Sequence, residues 1–334
     1  MTKNKIQVAI LMSVYNGDKF LEAQIRSISE QRVSENIQIK LYIRNDGSDD
    51  KSLSVIQTLQ KEFQNLITVI NEPKGNVGVK KSFFSLLTSP LIVADYYFLS
   101  DQDDIWDEYK LNDFLKAFSE LPSDKPIGVY SDLWIADKDA NSTGKKMSQI
   151  AHWKDDLVDF KFLTFDYRVT GCAFAINNTA RLQFIKLVSK EMIESVNMHD
   201  SLLALLIAAT GRLYQLNKPT VYYRQHGGNV IGAVKKRETI VQKINKAIAV
   251  PGQLIHDNVC IGNAISDDTL INSEVMPIIS LYKDYYNASN FISRMHSTSK
   301  IYPLMHHRRR WLHFILMTFI HTTEFTTQPW IGNK

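Results

Sequence analysis

The period of apolar and polar positions changes several times along the first hundred residues, and each change marks an element. Val8 to Val14 is a near-continuous apolar run, the pattern of a strand buried on both faces in a parallel sheet. Leu21, Ile25 and Ile28 then recur at helical spacing. Ile37, Ile39, Leu41 and Ile43 alternate with other residues and read as a second strand, which runs into the turn Asn45-Asp46-Gly47-Ser48. Ile56, Leu59 and Phe63 give another helical face, Leu66 to Ile70 a short strand, and Val79 to Leu87 a helix. Leu91 to Leu99 is a further apolar strand, running into Ser100-Asp101-Gln102-Asp103-Asp104. Strands and helices alternating in this way predict an α/β fold with a mostly parallel sheet flanked by helices, whose ligand crevice lies at the carboxyl ends of the strands. Ser13 to Asn16, Asn45 to Asp50 and Ser100 to Asp104 all lie at such ends.

Beyond this unit a strand is expected at Ile127 to Tyr130, a helix from Ala180 to Glu194, a helix after His199-Asp200 and a strand near Thr220 to Tyr223. After Gly232 the chain turns Lys-rich and polar, with Pro251-Gly252 as a break, so residues 1–235 are expected to form one domain and 236–334 a helical C-terminal module. Across 334 residues, 44% hydrophobic against 22% charged is a globular balance that argues against disorder and fibrous repeats. Two cysteines, Cys172 and Cys260, give neither a disulfide framework nor a CxxC metal pair. The first apolar run is too short for a secretory signal or a membrane span, and the expected location is cytoplasmic. Net charge is +4, yet between Asp284 and Glu324 there are five Arg or Lys residues and no acid. Basicity concentrated there points to an anionic surface met by the C-terminus and argues against a nucleic-acid protein.

The densest chemistry is the string Phe98-Leu99-Ser100-Asp101-Gln102-Asp103-Asp104-Ile105-Trp106. Carboxylates crowded after a buried strand repel one another, and Mg²⁺ or Mn²⁺ would offset that repulsion and bridge to phosphates. A solvated acidic turn capping a helix near Ile105 is the alternative. Asp200 opens a very apolar helix, where an acid serves equally as a cap. His226 follows Arg224 in the polar loop Tyr223-Arg224-Gln225-His226-Gly227-Gly228-Asn229 and reads either as a metal ligand or as a structural histidine. Near the C-terminus, His306-His307-Arg308-Arg309-Arg310-Trp311 precedes an apolar run to Ile320. That run cannot cross a hydrocarbon core about 30 Å thick, but it can lie in the interface of an anionic membrane, with Trp311, Phe314, Ile315 and Phe319 as its apolar face. A helix buried in a homodimer interface is the other reading.

Taken in chain order, Ser13-Val14-Tyr15-Asn16, Asn45-Asp46-Gly47-Ser48-Asp49-Asp50, Gly75-Asn76-Val77-Gly78, the Asp101 cluster and His199-Asp200 resemble the motifs of inverting GT-A glycosyltransferases of family 2, over residues 6 to about 232. The Ser-Asp-Gln-Asp-Asp-Ile-Trp string and the Tyr-Arg-x-His segment are most similar to bacterial rhamnosyltransferases of cell-surface polysaccharide synthesis. The resemblance implies a GT-A, Rossmann-like fold. It implies that Ser13, Tyr15 and Asp46 hold the nucleotide base, Asp46 by accepting from the imide N–H of uracil or thymine. Asn76 and Lys80 would line the nucleotide, Arg224 or Lys235 would neutralise the diphosphate, and Asp103 would hold the cation with Asp101 and His226. Asp200 matches the catalytic base. Asn45 and His199 stand where the family often has acids, which leaves their roles open. The donor implied is dTDP-L-rhamnose, the acceptor a growing polysaccharide or lipid-linked oligosaccharide, and the location the inner face of the plasma membrane. Another UDP- or dTDP-sugar, or a non-catalytic carbohydrate-binding protein of the same fold, are the alternatives. A dehydrogenase is excluded by the absence of any G-x-G, and a nucleotidyltransferase by the absence of a basic Gly-rich loop after the first strand.

Overall fold

A computed structural model describes residues 5–70, 75–153, 158–226, 239–266, 270–304 and 308–320. The chain divides into two compact units, one of Met1–Asp156, Val169–Lys186 and Leu213–Ala233, the other of Leu157–Arg168, Leu187–Arg212 and Val234–Lys334.

The first unit begins with β1 (Ile6–Val14), α1 (Leu21–Ser29), β2 (Ile37–Asn45), α2 (Ser52–Glu62), β3 (Ile67–Val69), α3 (Val79–Thr88) and β4 (Tyr96–Ser100). It continues with β5 (Ile105–Trp106), α4 (Lys110–Ser119), β6 (Ile127–Ala136), β7 (Ser142–Lys146), α5 (Met147–Ile150), β8 (Phe174–Asn177), α7 (Asn178–Leu187) and β9 (Arg212–Arg224), with α6 (Phe160–Leu163) in the other unit. The sheet order is β3-β2-β1-β4-β8-β6-β9-β5, with β7 on β6. The pairings β3-β2-β1-β4 are parallel, whereas β8 is antiparallel to both β4 and β6, and β5 to β9. Val8, Ile10, Met12 and Val14 on one face of β1 are buried in one cluster with Leu21, Ile25, Leu41, Ile43 and Phe98, and Ala9 and Leu11 on the other face are buried as well, so the strand is covered on both faces. Register sets Val14 beside Asn45 and Met12 beside Ser100, so the loops after β1, β2 and β4 leave the sheet along one edge.

Several boundaries differ from the sequence reading. The strand expected from Leu91 forms only from Tyr96: Pro90 lacks a donor for a ladder, and Leu91 and Val93 stay exposed in a loop. The helix expected over 180–194 is two, because Ser189 caps a new start, α8 (Lys190–Ser195), by accepting from the Met192 N–H. β6 and β9 both run longer than their most apolar stretches.

The second unit is helical. Its elements are α6, α8, α9 (His199–Thr210), α10 (Ile240–Ala264), α11 (Val275–Tyr286), α12 (Phe291–Ile301) and α13 (Arg308–Ile320). Pro251-Gly252, read as a break, lies inside α10. One missing N–H does not end a helix whose flanking Val250, Leu254 and Ile255 are buried, the first two against Phe165. Tyr282 on α11 donates from its hydroxyl to the Thr164 hydroxyl, and the Asn258 amide donates to the Thr164 carbonyl, pinning α10 and α11 to the end of α6. Phe314, expected on an interfacial face, instead packs inward on the Tyr285 ring, because α13 is apolar on two sides and one of them closes this core. Residue 235, the expected domain boundary, lies outside the described residues, as do Gly227, Gly228, Asn229, His306 and His307. No helix among the described residues is long and apolar enough to cross a membrane.

Candidate active site

At the end of β1, the Ser13 hydroxyl donates to the Ser82 hydroxyl of α3 (2.6 Å), and the Tyr15 ring stands 46% exposed. The Tyr15 backbone is gripped on both sides by one amide. Gln102 accepts from the Tyr15 N–H (2.8 Å) and donates to its carbonyl (2.9 Å). Gly17 is the neighbour this allows, since a Cβ there would lie 2.4 Å from the Gln102 amide. Gln102 thus ties the β4 loop to the β1 loop, a role sequence reasoning missed because the partner is a backbone 87 positions away. Asn16, at φ 48°, donates from its N–H to Ser48 and accepts from the Asp49 N–H, joining the β2 loop to the same edge.

Asp46 is only 2% exposed. Its carboxylate is paired with the buried Arg44 guanidinium and accepts from the Val77 and Gly78 N–H groups, both at 2.9 Å. It therefore holds the turn before α3 over the end of β2. Asn76 accepts from the Gly78 N–H, and Lys80 is half-buried on the first turn of α3. Gly78 takes φ +83°, a conformation open to glycine at no steric cost.

The acidic string divides by depth. Asp103 is partly exposed and its carboxylate lies 2.7 Å from His226 Nε2, the two side chains each 18% exposed. Asp104 is fully buried and accepts from the Arg224 N–H; β5 follows it directly and α4 starts only at Lys110, so the string is not a solvated turn capping a helix near Ile105. Burial, together with the Asp103 and Asp101 charges, drives the Asp104 carboxyl well above the usual range. Ligand atoms of Asp101, Asp104 and Cys172 lie within 4.8 Å of one another. Beneath them Lys110 is fully buried, its ammonium 3.6 Å from the Trp106 ring centre and donating to the Cys172 carbonyl. Burial pushes Lys110 down to about 7, against the opposing pull of Asp104 and Asp101.

Arg224, 5% exposed, donates from Nε to the Asp103 carbonyl (2.6 Å) and from a terminal nitrogen to the Lys138 carbonyl (2.8 Å). Its charge sits behind the Asp103 loop. Lys235 lies outside the described residues. Asp200 belongs to the other unit, second in α9, where Met198 rather than Asp200 is the cap residue. Its carboxylate accepts from the Ser201 N–H at 2.7 Å, and His199 beside it is buried.

The Asp103 carboxylate oxygen and the His226 imidazole nitrogen form a mixed O/N donor pair that suits Mn²⁺ and, through oxygen, Mg²⁺, while the Asp101 carboxylate groups with Asp104 and Cys172. The residues present fit a divalent cation.

Residues 9–174 match Glycosyl transferase family 2. The chain is 27% identical to the dTDP-rhamnosyl transferase RfbG of Shigella flexneri over 79% of its own length and 88% of that protein's. It is 26% identical to an uncharacterized glycosyltransferase of a Nostoc species over 75% of each chain. Among solved structures, S. aureus TarS 1–349 in complex with UDP-GlcNAc superposes with a TM-score of 0.55 at 14% identity, over 94% of this chain and 90% of that one. The mannosyltransferase PcManGT of Pyrobaculum calidifontis, in complex with GDP-Man and Mn²⁺, gives 0.56 at 12% identity over 94% and 86%. The curled, mostly parallel sheet, the acidic loop at its edge and these likenesses agree: residues 9–174 are a glycosyltransferase family 2 domain, built on the GT-A fold.

Proposed function

We propose that the protein is a metal-dependent, inverting rhamnosyltransferase that moves L-rhamnose from dTDP-L-rhamnose to a growing cell-surface polysaccharide or a lipid-linked oligosaccharide. The observation that carries the metal and diphosphate part of this reading is the Asp103–His226 pair at the strand-end edge. The rhamnosyl relative supports the donor. Asp103 and His226, with Asp101, would hold Mn²⁺ or Mg²⁺, which when bound supplies positive charge against the departing diphosphate. The Tyr15 ring offers a face for the base, Ser13 and Asp46 lie at the ends of β1 and β2, and Asn76 lies in the turn bonded to Asp46. Lys80 from α3 and the buried Arg224 add charge toward the phosphates. Asp200 takes the proton of the acceptor hydroxyl as that oxygen bonds to the anomeric carbon, and the electron pair of the breaking bond leaves with the diphosphate. A thermal-shift panel of nucleotide-sugars with and without Mn²⁺ tests this, since a ligand bound only by the native state stabilises it by RT ln(1 + [L]/Kd). The largest shift is expected from dTDP-L-rhamnose with Mn²⁺. A larger Mn²⁺-dependent shift from another donor would replace the sugar, and no shift from any would overturn the reading.

We place the enzyme at an anionic membrane surface through α13. Leu312, Ile315, Leu316 and Phe319 recur at i, i+3, i+4 and i+7, the spacing of one helix face, with Leu312 and Phe319 exposed and the other two half-buried. Phe319 meets the Phe291 ring of α12, and Ile292 beside it is 80% exposed. An apolar face of this kind next to five basic and no acidic residues suits lipid with anionic headgroups.

A further inference from the structure

We propose that Phe20 is a positioning residue for the cation site, holding the His226 imidazole in place against Asp103; the inference rests on the metal reading above. Phe20 occupies the position just before α1 and makes no side-chain cap hydrogen bond. Ser, Thr, Asp or Asn at such a position would cap the helix start with a side-chain hydrogen bond that Phe cannot make. The chain forgoes that gain, and the ring is used elsewhere. Its centre lies 4.7 Å from that of His226 with an interplanar angle of 32°, and the Arg224 guanidinium sits 4.8 Å from the same ring centre.

The end of β9 is thus fastened to the β4 loop by polar bonds and to the β1 loop by this ring. Arg224 donates to the Asp103 carbonyl from its side chain and to the Asp104 carboxylate from its backbone, and His226 meets the Asp103 carboxylate. Those bonds fix the end of β9, and the flat Phe20 face packed on the His226 ring adds a restraint on how that ring turns. The Phe20 backbone is itself set by a turn, because the Phe20 and Leu21 N–H groups both donate to the Gly17 carbonyl, and the Gly17 N–H donates to the Ser52 hydroxyl. Partners that orient a metal-binding histidine typically change metal affinity by 10–100-fold when removed.

The test is Mn²⁺ binding to the full-length protein in the presence of dTDP, read from loss of the free-ion EPR signal, alongside the melting temperature. Four proteins are compared: wild type, Phe20→Leu, Phe20→Tyr and His226→Ala. Phe20→Leu keeps apolar bulk but loses the flat face, and is expected to weaken Mn²⁺ about tenfold, with a melting temperature matching that of Phe20→Tyr, which keeps wild-type affinity. If Phe20→Leu binds Mn²⁺ as wild type does while His226→Ala does not, or if Phe20→Tyr loses as much affinity as Phe20→Leu, the positioning role is wrong and the metal reading stands. If His226→Ala also binds as wild type does, or wild type binds no Mn²⁺, the metal reading itself fails and this inference with it.

Discussion

Asp103 and Asp104 are consecutive, yet one is turned toward solvent beside His226 and the other is sealed beneath the loop. Their substitutions separate accordingly. Asp103→Asn is expected to abolish transfer and weaken donor binding, because a neutral amide cannot supply the charge that holds a cation against a diphosphate; steady-state turnover over a Mn²⁺ titration reads it, and wild-type Mn²⁺ dependence in the variant would remove Asp103 from the site. Asp200→Asn should leave donor affinity nearly intact while transfer falls by roughly a hundredfold or more, the scale of general-base removal. Calorimetric titration of the donor separates the two effects. A loss of donor binding would make Asp200 a helix-start residue only, its carboxylate engaged with the Ser201 N–H.

At the scale of elements, the site is an edge where three loops are stitched together, and Gln102 is the stitch between two of them. Gln102→Ala deletes both bonds to the Tyr15 backbone. It is expected to lower stability by roughly 1–2 kcal/mol and to raise the KM for the donor more than it lowers kcat, because Tyr15 loses its support; an unchanged KM would mean that the loop holds Tyr15 without it. The sequence made β1, α1, β2, α2 and β4 legible, since each carries a clean apolar period. It made the Asp101–Asp104 string legible too, because carboxylate density needs no partner to be seen. What it hid was pairing across distance: Gln102 against Tyr15 and Phe20 against His226 join residues that no local period connects. The donors that bury Asp46, the Val77 and Gly78 N–H groups, were hidden for the same reason, because they come from the next loop.

For the whole molecule, the apolar face of α13 and the basic C-terminal stretch give an expectation of location. The protein should sediment with anionic but not neutral liposomes and be released by salt, at about 1 kcal/mol of attraction per basic residue near the surface. Replacing Leu312 and Phe319 with Ser should weaken binding while transfer to a soluble acceptor persists. A change from dimer to monomer on a sizing column, with no liposome binding in the wild type, would make that face a subunit contact instead. The central claim is the metal-dependent use of a nucleotide-sugar at the strand-end edge. Its most direct measurement is release of nucleoside diphosphate from dTDP-L-rhamnose with Mn²⁺ and with excess EDTA, by wild type and by Asp103→Asn. Release by wild type that requires Mn²⁺ and is missing in Asp103→Asn is the expected result, and release that persists in EDTA or in the variant would contradict the account.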